Sequence, residues 1–109
     1  MHIIDPNDAV DYIIKHSQKY ALAKANVVYL EQFRKTQKAI CFQASLRSTI
    51  ADKEADAYAH KDYIAVLVGL KDAVEAAEQL RWMLVAAQAR IEIWRSQEAS
   101  NRGIDRAAR

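Results

Sequence analysis

Hydrophobic and polar positions alternate along most of this chain with the spacing of a helix. Leu22, Ala25, Tyr29, Phe33, Thr36, Ile40, Gln43, Leu46 and Ile50 advance by three or four residues at a time. The mean step is about 3.5 residues, the period of a coiled-coil seam. Thr36 and Gln43 are polar interruptions, and Val10, Ile13 and Ile14 begin a similar stripe upstream. A second stripe is cleaner. Tyr63, Leu67, Leu70, Val74, Ala77, Leu80, Leu84, Ala87, Ile91 and Trp94 keep the same step without a polar residue, until Glu98 ends the series.

The punctuation of the chain agrees with two long helices. Asp5 can cap free backbone N–H groups, and Pro6 suits a first helical position because its missing N–H costs nothing there. Asp8 adds a favourable negative charge to the first turn. No glycine or proline follows until well past Ala57, although His16-Ser17 leaves room for a kink. A weak break falls at Tyr58-Ala59-His60-Lys61-Asp62, with Asp62 as candidate N-cap of the second helix. Gly103 is a candidate C-terminal cap. The expectation is one helical domain, residues 1–109, with helices over about 6–57 and 62–101 and a frayed tail from 103 to 109.

Helices of roughly 40 residues are about 60 Å long, and such amphipathic rods do not stand alone in water. The predicted fold class is therefore all-α, a long antiparallel helical hairpin. Val66, Val68, Trp82, Val85 and Ile93 fall beside the second seam and widen its apolar face beyond one partner helix. The excess predicts a multi-helix bundle completed by homo-oligomerisation, most simply a dimer. A monomer whose first segment breaks near His16 to supply a third helix is the competing arrangement.

Composition narrows the classes. Two glycines and one proline in 109 residues leave too few turns for a sandwich or barrel. A net charge of +2 with 28% charged residues of mixed sign describes an ordinary surface. No apolar run is long enough to span a membrane, and the N-terminus lacks the basic and apolar regions of a signal peptide. The single cysteine, Cys41, excludes an internal disulfide and fits a reducing cytoplasm.

Catalytic and metal signatures are sparse. His2, His16 and His60 lie far apart, and none follows a glutamate at the i+3 spacing of a di-metal bundle. Cys41 has no base beside it in sequence and reads as a small interface residue. Asp52, Glu54 and Asp56 read as a solvated acidic helix end, and Gly69 as a close-packing point. No enzyme activity, cofactor or metal is expected.

Arginine is unevenly distributed. Arg81, Arg90, Arg95, Arg102, Arg106 and Arg109 crowd the last third, and Arg81, Arg95, Arg102 and Arg109 are separated by multiples of seven. Arg34, Lys35, Lys38 and Arg47 form a second cluster. In a hairpin turning near His60, Arg34 and Lys38 come level with Arg81, near Trp82. Basic groups beside aromatic ones can bind single-stranded nucleic acid. Glu75, Glu78, Glu92, Glu98 and Asp105 interleave with the arginines, however, and i,i+3 and i,i+4 ion pairs account for most of them.

In the second half, Tyr58-Ala59-His60-Lys61-Asp62-Tyr63, Leu80-Arg81-Trp82, Ala86-Ala87-Gln88-Ala89-Arg90 and the run from Ile93 to Arg102 resemble small helical accessory proteins of tailed bacteriophages and prophages. The resemblance covers about half the chain and carries no catalytic motif. It implies an accessory role near phage replication or recombination, in a bacterial host cytoplasm.

The reading that gathers these observations is a non-enzymatic assembly protein, self-associating and contacting a protein partner. Leu67, Leu70, Val74, Leu84, Ile91 and Trp94 would carry the packing. One alternative is a nucleic-acid-binding accessory using Arg34, Lys38, Arg81, Arg90, Arg95 and Arg102. Another is a helical inhibitor of a host protein.

Overall fold

The computed structural model describes residues 5–108; His2 and Arg109 lie outside them. Among the described residues 93% are helical and none is in a strand. The helices are α1 (Pro6–Ala44), α2 (Ile50–Ala59) and α3 (Lys61–Ala108). The protein is all-α, with α1 and α3 as the long arms of a helical hairpin. At its start the Asp5 carboxylate accepts the Asn7 N–H at 2.8 Å, and Pro6 opens α1.

The first long segment is not continuous to residue 57. It breaks at residues 45–49, where side-chain oxygens compete with the helix ladder for backbone groups. Ser45 accepts the Arg47 N–H at 3.2 Å while donating its hydroxyl to Asp56 at 2.6 Å. Thr49, in extended backbone, then caps α2 by accepting the Asp52 N–H at 3.1 Å. The joint between α2 and α3 is a single residue, His60. Its ring Nδ1 accepts the Asp62 N–H at 3.0 Å and its carbonyl accepts the Ile64 N–H at 3.0 Å. His60 is thus the cap of α3, and Asp62 lies inside the first turn, where its charge favours the helix N-terminus. At the other end α3 runs through Gly103 to Ala108, so that glycine ends no helix.

The chain divides into two compact units. The first comprises the residues through Tyr20 and those from Gln79 onward. In it Ala9 and Ala87 are buried, and Tyr12, Ile13, His16, Tyr20, Leu80, Leu84, Ile91 and Trp94 are half-buried. His16 donates to the Tyr12 carbonyl at 2.9 Å, and their rings stack with centroids 3.9 Å apart. α1 passes through this point unbroken.

The second unit, Ala21–Glu78, contains the elbow of the hairpin. Cys41 of α1, Ala57 of α2 and Tyr63 of α3 form a buried cluster flanked by Phe42. Three helices meet there, and Ala57 is 0% exposed because a larger side chain would hold them apart. Away from the elbow, Ala73 and Ala77 are buried, and Val27, Leu30, Val66 and Leu70 are half-buried.

These burials correct the first stripe. The positions of α1 turned inward are Ala9, Ile13, His16, Tyr20, Ala23, Val27, Leu30, Arg34, Gln37 and Cys41, with alternating steps of four and three. The stripe that begins at Leu22 has the expected period but, apart from a half-buried Phe33, is turned to solvent: Leu22 is 66% exposed, Tyr29 62% and Ile40 53%. Two stripes of equal period share one helix. The inward one contains alanines, a histidine, an arginine and a glutamine, so hydrophobicity alone favoured the outward one.

Candidate functional site

The best-built local site in this chain is the elbow. Lys38 donates to the Tyr58 hydroxyl at 2.6 Å and sits 4.1 Å from its ring centroid. That hydrogen bond holds the Lys38 ammonium above its ordinary value, with the nearby Glu54 charge acting in the same direction. Lys53 lies 5.7 Å from the Phe42 ring centroid, and Tyr58 meets Tyr63 edge-on at 5.6 Å. The three acidic residues before the joint therefore have separate structural tasks. Asp52 occupies the first turn of α2, 3.5 Å from Arg47; Asp56 receives the Ser45 hydroxyl; the Glu54 charge favours the Lys38 ammonium.

A pocket of about 450 Å³ opens at the elbow, lined by Cys41, Ala44, Ser45, Leu46, Asp56, Ala59 and His60. A thiol, a carboxylate and an imidazole share this pocket, and each makes a hydrogen bond within the elbow. The Cys41 sulfur is buried and accepts from the Gln37 amide at 3.5 Å. Asp56 is held by Ser45, and the His60 Nδ1 is held by a backbone N–H. No group of three or more metal-ligating side chains is gathered among the described residues. No helix there is long and apolar enough to cross a membrane.

The predicted packing residues divide. Leu70, Leu84, Ile91 and Trp94 are half-buried within the hairpin. Leu67 and Val74 are 37% and 40% exposed, because Val66 and Ala73 take the inward positions of α3 in their place. Val68, Trp82, Val85 and Ile93 remain exposed beside the seam. Gly69 is no close-packing point: a Cβ added there would meet nothing within 4 Å.

The basic residues also take different surroundings. Arg34 occupies an inward position of α1 and is half-buried, and Lys38 is engaged by Tyr58. Both belong to the second unit. In the first unit, Arg81 lies 4.5 Å from the Trp82 ring centroid and Arg95 pairs with Glu92 at 3.3 Å. Arg90 and Arg102 are exposed.

Sequence reasoning missed the break at residues 45–49 and the capping role of His60. The first had a readable signal. Thr49-x-x-Asp52 has the spacing of a capping motif before a short apolar-containing helix. The second had none, since a ring nitrogen as cap is set by local geometry.

No protein-family model, curated protein or solved structure matches this chain.

Proposed function

We propose that this protein is a non-enzymatic helical assembly protein that works by self-association and by presenting helical surfaces to a protein partner. The observation that carries this reading is how little the hairpin covers. Among the described residues the buried ones are Ala9, Cys41, Ala57, Tyr63, Ala73, Ala77 and Ala87, five of them alanine, while Leu22, Tyr29, Ile40, Val68 and Trp82 are exposed. The chain exposes 8447 Å². A folded monomer of its 12.4 kDa exposes about 6,100 Å². The surplus matches what an obligate interface removes from each partner. The hydrogen bonds that Cys41, Asp56 and His60 make within the elbow support a structural use of that region.

The resemblance to phage accessory proteins suggests proteins of replication or recombination as partners. Sedimentation at high micromolar concentration tests the core of the proposal. A dimer or larger species is expected, and a strictly monomeric protein would remove it.

A further inference from the structure

The outward stripe of α1 carries more than hydrophobicity. Between Leu22 and Gln43 its face consists of Leu22, Ala25, Asn26, Tyr29, Gln32, Phe33, Thr36, Ala39, Ile40 and Gln43, all exposed except Phe33, which is half-buried. None of these is charged, in a chain where 28% of residues are. The nearby charges, Lys24, Glu31, Arg34, Lys35 and Lys38, fall on other faces of the helix. α2 does not cover this side, because its contacts with α1 are made through Lys38, Cys41, Phe42 and Ser45. A charge-free face can be removed from water without the desolvation cost that a lysine or glutamate would add.

The order of the central positions points to the occupant. At coiled-coil spacing they read Leu22, Asn26, Tyr29, Phe33, Thr36, Ile40. By chemistry this is aliphatic, polar, aromatic, aromatic, polar, aliphatic, and it reads the same from either end. A twofold axis perpendicular to a helix places each residue against one equally far from the centre, so a face of this order meets its own copy with like chemistry at every level. An unrelated partner requires no such symmetry. With the axis between Tyr29 and Phe33, Leu22 meets the second copy's residue 40, Asn26 meets 36 and Tyr29 meets 33. Tyr29 and Phe33 already stack within one chain, with centroids 5.8 Å apart and planes 11° from parallel, so two such pairs would form a four-ring centre. The paired polar positions would fix the register, as a buried asparagine does in a coiled coil.

We propose that a second copy of this chain docks antiparallel on the outward face of α1, its twofold axis crossing that face midway between Tyr29 and Phe33. This rests on the self-association proposed above and names the surface that performs it. Cross-linking and sedimentation test it together. In a Cys41→Ala background, Gln32→Cys brings the two introduced thiols together near the axis, whereas Gln43→Cys separates them by most of the interface. A rapid disulfide-linked dimer is expected from the first and not from the second. Tyr29→Lys is expected to weaken dimerisation at least a hundredfold with helicity retained by circular dichroism. Lys24→Glu, off the face, is expected to leave it unchanged. A monomeric parent protein would overturn this proposal and the assembly reading together. A dimer that survives Tyr29→Lys and gives no Gln32→Cys cross-link would overturn this face alone. Cross-linking at both positions would overturn the antiparallel arrangement in favour of a parallel one. Should Tyr29→Lys lose helicity, Asn26→Leu replaces it. That change keeps the helix but mismatches the paired polar position, and it is expected to alter the oligomer or its cross-linking pattern. An unaltered pattern would overturn the proposed register.

Discussion

The elbow and the unit that holds the chain ends are built from the same kinds of residue, yet they bury them differently. At the elbow three helices converge, and a tyrosine, Tyr63, reaches 7% exposure. Among the described residues of the other unit only Ala9 and Ala87 are buried, while Leu80, Leu84, Ile91 and Trp94 stay half-exposed. The cause is geometric. Two helices in contact enclose a strip about as wide as an alanine, so larger seam residues leave their edges in water. A third helix closes one side of that strip. The difference teaches that the number of neighbours, more than side-chain hydrophobicity, decides which seam residues become core.

Substitutions can break this contrast. The largest effect is expected at Tyr63. Tyr63→Ala removes the one large buried side chain among the described residues and should cost about 3 kcal/mol in urea unfolding at fixed protein concentration. A loss under about 1 kcal/mol would show that the elbow is no firmer than the arms. Next comes the joint. Thr49→Ala deletes the cap of α2 and should cost about 1 kcal/mol. Thr49→Ser should restore most of it, separating the hydroxyl from side-chain bulk. The smallest effect has the opposite sign. At Gly69 an added Cβ meets nothing within 4 Å, and Gly→Ala in a helix interior is worth roughly 0.5–1 kcal/mol. Gly69→Ala should therefore raise the unfolding midpoint slightly, and a fall would mean that a partner helix approaches there.

Much of this architecture was legible in the sequence, and the reasons for the rest are specific. α3 could be followed from Tyr63 to Trp94 because its inward residues are also its apolar ones. Even so, Leu67 and Val74 gave way to Val66 and Ala73, since a seam a few residues wide admits either neighbour. α1 carries two stripes of one period, and periodicity cannot say which faces the partner. The stripe headed by Leu22 looked better because His16, Arg34 and Gln37 lower the apparent quality of the true inner one. The elbow was hidden for another reason. The Thr49 cap left a readable spacing, but Ser45 and His60 act through local hydrogen bonds, and no pattern announces where a ring nitrogen will cap a helix. Of the candidate site, the sequence identified the residues of α3 and the acidic cluster but not the pocket that brings Cys41, Asp56 and His60 to one place.

The single-residue joint at His60 has a mechanical consequence. Between α2 and α3 only one φ and one ψ, −66° and 135°, are free of the helical pattern. Two torsions cannot turn one rod against another without also moving the residues beside the joint, and here that end of α2 is tied by Ser45 to Asp56 and by Lys38 to Tyr58. The joint therefore behaves as a welded bracket rather than a hinge. A load applied to either helix would be met by unwinding of a terminal turn before any pivoting at His60.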